Sequence, residues 1–247
     1  MLTTLFTHAW ASSPERLAVA AAVTVGFALL ARVLRGVTAG GAVAGGCACF
    51  ALFAGAGPGA FATLAALFLM TWGSTRLGYR RKQELGLAER REGRNAGQVL
   101  ANLAVAALCA LLFGVTGNRA WLVAAIAALA EAATDTVASE IGQSRRRDAL
   151  LITTWERVPA GTDGGITVSG TSAGLLAGIV IASVATVSRI LAGNEMWIPV
   201  AAGFAGMLVD SLLGATIQRR GWIGNQAVNL VSTLAAAVLA YGISRLA

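Results

Sequence analysis

Long apolar stretches alternate with short polar segments along nearly the whole chain. About 20 apolar residues are enough for a helix to cross the hydrocarbon core of a bilayer. Eight stretches approach that length, and they run roughly over 16–34, 37–56, 59–76, 97–115, 119–142, 170–190, 197–217 and 225–245. The pattern predicts an all-α, polytopic transmembrane helix bundle. We expect about 6–8 spans, because the second and third stretches are short and glycine-rich.

The composition agrees with this pattern. Hydrophobic residues make up 56% of the 247 residues, and charged residues only 13%. These values indicate a polytopic membrane protein and exclude a soluble domain. We therefore expect residues 1–247 to form a single transmembrane domain with cytoplasmic loops near 77–96 and 143–169.

Positive charge is concentrated in the loops that follow the odd-numbered stretches. These loops hold most of the 19 Lys and Arg residues, at positions 32, 35, 76, 80–82, 90, 91, 94, 145–147, 157, 219 and 220. The positive-inside rule makes that face cytoplasmic and both termini external. The net charge of +7 thus reflects orientation, and we expect no nucleic-acid partner. We expect an integral protein of the plasma (inner) membrane, with its site facing the cytoplasm.

Two aspartates lie inside apolar stretches, in segments that resemble each other. Asp135 opens the segment 135–143 and Asp210 opens the segment 210–218; a hydroxyl residue follows each Asp, and each segment ends on Gln before arginines. A carboxylate in the middle of a membrane helix costs about 2.5–3.5 kcal/mol on insertion scales. Both aspartates therefore require a partner, which is a cation, a proton pathway or a metal-bound phosphate.

Further polar residues converge on the same half of the predicted bundle. Glu131, Asp135 and Ser139 share one helix face, and Glu140 lies closer to the cytoplasmic end. Amide and hydroxyl residues near the cytoplasmic ends of other helices are Asn95, Gln98, Asn102, Ser211, Asn225 and Asn229. The pattern leaves open whether Glu131 belongs to this group or only pairs with an arginine.

A glycine-rich loop over 158–174 joins the fifth and sixth stretches. Glycines permit close backbone approach, and N–H groups at a helix start bind anions. The loop is not a Walker A motif, because no Gly-Lys-Ser/Thr follows the glycines. Beside two acidic helices and basic loops, it indicates a phosphate site. Arg81, Lys82 and Arg94 are the nearest candidate phosphate clamps.

Phosphoryl transfer is the chemistry that these parts suit. Carboxylate and amide oxygens are hard ligands for Mg²⁺. Backbone N–H groups and basic side chains hold phosphate oxygens, and catalysis then consists mainly of positioning and charge neutralisation. A phosphorylated lipid can reach such a site laterally between helices.

Together these motifs resemble an integral-membrane family that contains plant phytyl-phosphate kinase and the eukaryotic transmembrane protein nineteen. The matching segments are 94–102, 135–142, 158–167, 170–171 and 210–215, in an order and spacing that cover most of residues 40–245. The sequence departs from the pattern of this family at 103–104 and 172–173, and none of these four residues is a predicted ligand. The resemblance implies that a nucleoside triphosphate, with CTP expected, phosphorylates a prenyl monophosphate such as phytyl or geranylgeranyl phosphate to the diphosphate. It leaves chain length, nucleotide base and oligomeric state open.

We therefore expect a Mg²⁺-dependent polyprenyl-phosphate kinase whose partners are an isoprenoid monophosphate, a nucleotide and membrane lipid. Its catalytic residues are Asp135, Glu140 and Asp210, which together with Asn102 and Asn229 hold the metal. The residues expected to bind the nucleotide are Lys82, Arg94, Asn95, Gln98, Ser139, Gly161, Thr162, Asp163, Gly164, Gly165, Thr167, Gly170, Thr171, Ser211 and Asn225.

Two other functions compete with this hypothesis. Carboxylates within helices also couple ions in secondary transporters, and the paired Asp segments are compatible with an internal duplication. A CDP-alcohol phosphotransferase is a third possibility, but the chain lacks the helix with three or four spaced aspartates that marks that class.

Overall fold

A helix forms at each of the eight predicted apolar stretches. The computed structural model describes residues 14–145 and 148–246. The helices are α1 (Pro14–Val33), α2 (Ala39–Ala56), α3 (Pro58–Arg76), α4 (Tyr79–Glu84), α5 (Ala96–Thr116), α6 (Arg119–Arg145), α7 (Val168–Val187), α8 (Trp197–Leu213) and α9 (Asn225–Leu246). The predicted all-α bundle is confirmed. The N-terminal tail, Arg146 and Arg147, which belong to the predicted topology, lie outside the described residues.

Within the described residues, seven helical segments are long and apolar enough to cross a membrane. They are α1, α2, α5, α6, α7, the stretch Gly193–Gln218 that contains α8, and α9. The 19-residue α3 is not among them, since its last turns, from Thr71 to Arg76, are mostly polar. The expected number of about 6–8 spans is therefore confirmed.

Helix α6 forms the centre of the bundle and packs against α3, α5, α7, α8 and α9. Its run from Leu122 to Ala130 is buried, and most of these residues are small. Glycines of the neighbouring helices contact its backbone directly. A Cβ on Gly174 would lie 2.5 Å from the Thr134 carbonyl oxygen, and one on Gly203 would lie 2.9 Å from the Glu131 nitrogen. Small residues therefore let α7 and α8 approach α6 closely.

The basic loops meet at one end of the bundle, as predicted. Val37 forms a parallel β-bridge with Arg94, which joins the α1–α2 corner to the loop before α5. Gly78 contacts Ser144 at the end of α6, and Gly164 contacts Ala215 just after α8. Loops that are distant in sequence thus form one surface at this end.

The connection between α6 and α7, predicted as a cytoplasmic loop near 143–169, contains strands that the sequence pattern did not predict. It contains a small antiparallel sheet of β1 (Asp148–Leu151), β2 (Arg157–Pro159) and β3 (Gly165–Ile166), in the order β2-β1-β3. Ala149 and Leu151 on β1 are buried. Such short strands give too little alternation to be recognised in the sequence.

Candidate functional site

A small polar cavity of about 140 Å³ lies at the basic end of the bundle, between α6, α8 and the connection that precedes α7. It is lined by the side chains of Asp135 and Asp210, by the loop 160–167 and by the first residue of α9, Asn225. We call this space the polar cavity. Its walls present carboxylate, hydroxyl and amide groups together with loop backbone.

Close packing of α6 and α8 brings the two aspartates to the same space. A Cβ on Gly206 of α8 would lie 2.5 Å from Glu131 Cγ on α6, so a larger residue would push the helices apart. Asp135 and Asp210 are half-buried and close enough to interact electrostatically with each other. The Ser232 hydroxyl of α9 donates to Asp210 Oδ2 at 3.4 Å. In this structure the two Asp helices thus bring their aspartates to one cavity.

Glu131 adds a third carboxyl group directly behind this pair. It is 1% exposed, and its Oε1 has no hydrogen-bond partner among the described residues. It interacts electrostatically with both Asp135 and Asp210. Glu131 is not among the site residues predicted from the sequence, although its position four residues before Asp135 on the same helix face indicates that it belongs there. An arginine partner for Glu131 does not occur in the described part of the chain.

The acidic cluster has little basic compensation. Salt bridges between described residues join Lys82 to Glu140 and Arg119 to Glu195, and neither includes Asp135 or Asp210. Arg94 is the basic residue that acts on Asp135 electrostatically, and its guanidinium donates to Thr136 Oγ1 at 3.3 Å. Because a charge is costly in such surroundings without a partner, the cluster is suited to accept a cation.

A glycine loop, residues 161–167, covers the polar cavity. Gly161 and Gly164 have φ values of +84° and +75°. A Cβ on Gly164 would lie 2.4 Å from the Ala215 nitrogen, so the loop backbone rests on the segment after α8. Thr167 ends the loop and caps α7, because its Oγ1 accepts from the Gly170 N–H at 3.0 Å. This brings loop backbone and the N-terminus of α7 to the cavity wall.

The helix that carries Asp210 continues from Gly214 to Gln218 as a π-helix. Both Gly214 and Gln218 line the polar cavity together with Ser211. The wider turn shifts the side chains that follow Asp210, and such local π-helices are frequent at functional sites. A Cβ on Gly214 would lie 2.8 Å from the Gly164 nitrogen, which explains the requirement for glycine there.

Asp163 extends the acidic character of the site toward solvent. Desolvation raises the pKa of the Asp163 carboxyl above its ordinary value, and the positive charge of Arg219 partly opposes that rise. Asp163 also interacts electrostatically with Asp210. The loop therefore contributes negative charge as well as backbone N–H groups.

Most of the predicted site residues lie together. Those that line the polar cavity are Asp135, Ser139, Gly161, Thr162, Asp163, Gly164, Gly165, Thr167, Thr171, Asp210, Ser211 and Asn225. Gly170 lies just behind it, where a Cβ would approach the Ala138 carbonyl oxygen to 2.4 Å. Gly170 therefore contributes packing between α6 and α7.

Glu140 and Lys82 require a correction, because the structure does not bring them to the polar cavity. Glu140 is rotated roughly 140° around α6 from Asp135, at 3.6 residues per turn. It forms a salt bridge with Lys82 and accepts from Thr75 Oγ1 at 2.9 Å. Lys82 is 0% exposed and also donates to the Thr75 carbonyl oxygen at 2.8 Å. The two groups satisfy each other, and so we assign neither of them to metal or phosphate.

The predicted amides at the start of α5 also lie outside the polar cavity. Asn95 and Gln98 form a capping box, in which each side chain accepts from the other's backbone N–H. Asn102 accepts from Asn229 Nδ2 at 3.4 Å. Asn229 is connected to Asp210 through Ser232, whose Oγ lies 3.0 Å from the Asn229 carbonyl oxygen and 3.4 Å from Asp210 Oδ2. Because neither Asn102 nor Asn229 lines the polar cavity, we do not assign them to the metal. Their hydrogen bonds support Asp210 instead.

A second and larger cavity of about 570 Å³ opens between α1, α2, α3 and α5, and we call it the amphipathic chamber. Its apolar wall includes Phe27, Ala31, Leu64, Leu67, Phe68 and Leu103, and its rim includes Arg35, Arg76, Arg80, Arg90, Arg91 and Arg94. The pattern of the sequence does not predict this chamber. In the sequence, the positive-inside rule alone explains its rim arginines, apart from Arg94, which is also a predicted phosphate clamp.

The polar cavity has a donor set that fits a hard divalent cation. Within the described residues, no group of three or more His, Cys, Asp and Glu side chains is arranged to hold a metal by itself. Mg²⁺ usually takes only one or two carboxylates from the protein and completes its shell with water and substrate phosphates. The two aspartates, with the unpartnered Glu131 oxygen behind them, match that requirement.

Comparison with known proteins places the chain among membrane proteins. The chain is 34% identical over 183 residues to an uncharacterized membrane protein of Synechocystis, covering 72% of this chain and 71% of the relative. It is 30% identical to the chloroplastic protein VTE6 of Arabidopsis thaliana, over 74% of this chain and 58% of the relative. It is 36% identical to an uncharacterized membrane protein of Methanocaldococcus jannaschii, over 59% of this chain and 60% of the relative. The match thus covers less than two thirds of the last two relatives.

No solved structure matches the chain. The model of one family, described as integral membrane protein DUF92, matches residues 22–237. Because that match includes nearly all of the helices described above, the chain belongs to the integral membrane protein family DUF92.

Proposed function

We propose that the protein is a Mg²⁺-dependent kinase that transfers a phosphate from a nucleoside triphosphate to a prenyl monophosphate. The observation that carries the proposal is the pairing of Asp135 and Asp210 in one polar cavity, under the glycine loop and without a salt-bridge partner among the described residues. An acidic pair beside an anion-binding loop is the arrangement that a metal–nucleotide complex requires.

Asp135 and Asp210 are the residues that would hold the metal. Ser211 and Asn225 line the same cavity and offer additional oxygen donors. When bound, Mg²⁺ neutralises charge on the phosphate oxygens during transfer. Glu131 lies behind the pair and interacts electrostatically with both aspartates.

The glycine loop would bind the phosphates of the nucleotide. Gly164 and Gly165 bring backbone to the cavity wall, and the hydroxyls of Thr167 and Thr171 lie beside them. Backbone N–H groups and hydroxyls bind phosphate oxygens without any requirement for a lysine. The expectation that the base is cytosine comes from the family resemblance of the sequence motifs.

The reaction needs no strong general base. An oxygen of the lipid monophosphate is already anionic; it forms a bond to the γ-phosphorus of the nucleotide, whose bond to the β–γ bridging oxygen breaks. The products are a prenyl diphosphate and a nucleoside diphosphate. Positioning and charge neutralisation supply most of the catalysis in such transfers.

Two lines of similarity support the lipid substrate. The motifs at 94–102, 135–142, 158–167 and 210–215 resemble those of the phytyl-phosphate kinase family. The chain also has a plant chloroplast relative, VTE6, at 30% identity. A prenyl phosphate is consistent with a site that opens among membrane-spanning helices.

Orientation forms a further part of the proposal. The basic loops lie at the end that contains the polar cavity, so the positive-inside rule places this end in the cytoplasm, where nucleotides are present. The bridge of Val37 to Arg94 shows that the α2–α3 pair leaves this end and returns to it. The protein would then lie in the plasma (inner) membrane with both termini external.

A transfer assay tests the proposal. Purified protein would be incubated with Mg²⁺, γ-labelled CTP and geranylgeranyl or phytyl monophosphate, and labelled lipid diphosphate would be measured. We expect product that disappears with EDTA and in Asp135→Asn. The matched control is Asp148→Asn, which changes an exposed aspartate on β1 outside both cavities and should retain activity. Failure of every nucleotide and prenyl chain length would reject the kinase.

Ion-coupled transport is the second candidate function, and the unpartnered oxygen of Glu131 is the observation that favours it. A transport site must be reachable from both membrane faces in turn. Cysteines introduced around positions 135 and 210 should react with a membrane-impermeant reagent only from the cytoplasmic face if the kinase proposal is right. Labelling from the external face would support transport.

A further inference from the structure

We propose that the amphipathic chamber is the binding site of the acceptor, a single-chain isoprenoid phosphate whose chain lies along the apolar wall and whose phosphate lies at the arginine rim. This inference rests on the proposed kinase function and assigns its second substrate to a separate cavity. The nucleotide and the acceptor would then bind in two cavities that both reach α6, one at Asp135 and the other at Ala132.

The apolar part of the chamber suits a hydrocarbon chain. Phe27 packs edge-on against Phe68 with ring centroids 5.4 Å apart, which forms a firm wall between α1 and α3. Leu64 and Leu67 of α3 are buried, yet both face this space. A volume of about 570 Å³ falls in the usual range of pockets for small ligands, roughly 300–1,000 Å³. The chamber therefore has room for a single chain.

The rim supplies the charge that an anionic head group requires. Among described residues, none of the six rim arginines forms a salt bridge with a carboxylate. Glu89 is the acidic residue of the lining, and its two oxygens accept from Gln98 Nε2 and from the Arg90 backbone N–H, each at 3.0 Å. The rim thus retains a strong positive charge, and arginine recognises phosphate particularly well because of its planar, multidentate donors.

One rim residue is placed at a conformational cost. Arg35 follows the end of α1 with a φ of +53°, in the left-handed region that normally favours glycine at this position. The next residue, Gly36, closes the turn through its N–H to the Ala31 carbonyl oxygen at 2.9 Å. A charged side chain thus occupies a position at which glycine would relieve strain.

Arg94 links the chamber to the polar cavity. Its backbone is fixed by two hydrogen bonds of 3.0 Å, from the Thr38 N–H to its carbonyl oxygen and from its own N–H to the Gly36 carbonyl oxygen. Its side chain lies on the chamber rim, bonds to Thr136 on α6, and acts electrostatically on Asp135. An acceptor phosphate held by Arg94 would therefore lie on the side of the chamber nearest the aspartate pair.

Photolabelling without nucleotide tests the chamber directly. The full-length protein in detergent would be irradiated with a geranylgeranyl phosphate that carries a diazirine near the end of its chain. We expect crosslinks in the wall segments of α1, α2, α3 and α5, and we expect geranylgeranyl phosphate to compete. Crosslinks confined to other segments, or equal competition by geranylgeraniol, inorganic phosphate or phosphatidic acid, would overturn the assignment.

A pair of variants on α3 gives a second test. Leu67→Trp would fill the wall of the chamber, whereas Leu69→Trp changes a residue that is 58% exposed on the outside of the same helix. We expect Leu67→Trp to raise the KM for geranylgeranyl phosphate at least about tenfold, and much less for geranyl phosphate, while the KM for nucleotide is unchanged. Equal KM values in both variants would overturn the assignment.

The rim is tested by a matched pair of charge changes. Arg91→Gln removes a rim arginine, and Arg157→Gln removes an exposed arginine on β2 that lines neither cavity. We expect only Arg91→Gln to weaken photolabelling by the lipid phosphate, by about three- to tenfold. The same loss in both variants would show a general effect of charge and would contradict a phosphate site at the rim.

The two proposals fail in different ways. Chamber labelling by the lipid phosphate without transfer from any nucleotide would reject the kinase and leave the chamber assigned as a lipid-phosphate site. Transfer with crosslinks that avoid α1, α2, α3 and α5 would support the kinase and reject the chamber.

Discussion

Asp135 and Glu140 lie on the same helix but have opposite surroundings. Glu140 forms a salt bridge with the buried Lys82 and accepts a hydrogen bond from Thr75. Asp135 faces a cavity that it shares with Asp210, and it has no salt-bridge partner among the described residues. The protein itself compensates the charge of the Glu140 carboxylate. The Asp135 carboxylate requires a positive charge from a bound cation or proton.

This difference separates structural acids from ligand-binding acids in a membrane bundle. A buried ion pair holds elements together, and here it attaches the short helix α4 to α6. An acidic pair without compensation is retained only where a bound cation or proton provides the missing charge. Variants of Asp135 or Asp210 should therefore change activity, whereas variants of the Lys82–Glu140 pair should change stability.

Loss of either cavity aspartate should have the largest effect. Asp135→Asn and Asp210→Asn each remove a carboxylate while preserving its shape. We expect kcat/KM for phosphate transfer to fall by about 10³-fold or more, because the charge acts on the transferred phosphate. Thermal unfolding in detergent should occur at the wild-type temperature or above it, since repulsion within the cluster falls. Activity within a few-fold of wild type in both variants would contradict the assignment.

Loss of the structural lysine should instead affect stability. Lys82→Met leaves Glu140 without its cation, and removing one partner of a buried ion pair costs roughly 3–5 kcal/mol. We expect a clearly lower Tm, with transfer per folded molecule close to wild type. The double variant Lys82→Met/Glu140→Met should recover part of the loss. A single variant as stable as wild type would show that the pair is not structural.

The glycine loop allows a closely matched comparison. Gly164 and Gly221 have similar φ values of +75° and +73°, but only a Cβ on Gly164 meets backbone, 2.4 Å from the Ala215 nitrogen. Gly164→Ala should therefore weaken nucleotide binding about tenfold by displacing the loop, whereas Gly221→Ala should leave it nearly unchanged. Titration with a fluorescent nucleotide measures both. An equal loss would mean that conformational strain, and not the contact with Ala215, causes the effect.

The smallest expected effect is a pH-dependent change in Tm in the variant Asp163→Asn. Because the folded protein raises the pKa of this carboxyl, its contribution to stability is present at low pH and is lost as the pH rises through the folded pKa. Asp163→Asn should thus have a slightly higher Tm than wild type at pH 7. The difference should close as the pH falls below the ordinary carboxyl range. A difference that is constant with pH, or reversed, would contradict this origin.

The sequence predicted the helices and much of the polar cavity because both depend on local patterns. Apolar length identified the helices, and the repeated Asp segments placed Asp135 and Asp210 at corresponding depths. The salt bridge between Lys82 and Glu140 could not be predicted in this way. It joins residues far apart in sequence, and Lys82 lies in a basic segment that resembles a membrane-flanking loop.

The amphipathic chamber escaped prediction for a related reason. Its apolar wall comes from four helices, and each wall residue taken alone resembles an ordinary lipid-facing or packing residue. Its rim arginines are also the residues that the positive-inside rule explains. The β-bridge between Val37 and Arg94 shows that two of these basic loops share one rim.

Direct measurement of metal binding distinguishes Asp135 and Asp210 from the structural acid Glu140. Mn²⁺ can replace Mg²⁺ at oxygen-rich sites and is visible by electron paramagnetic resonance. Purified protein would be titrated with Mn²⁺ in the presence of CTP, using folded wild type, Asp135→Asn, Asp210→Asn and Glu140→Gln. We expect one protein-dependent site that is strongly weakened in both aspartate variants and retained in Glu140→Gln. Wild-type binding in both aspartate variants, or its loss only in Glu140→Gln, would contradict it.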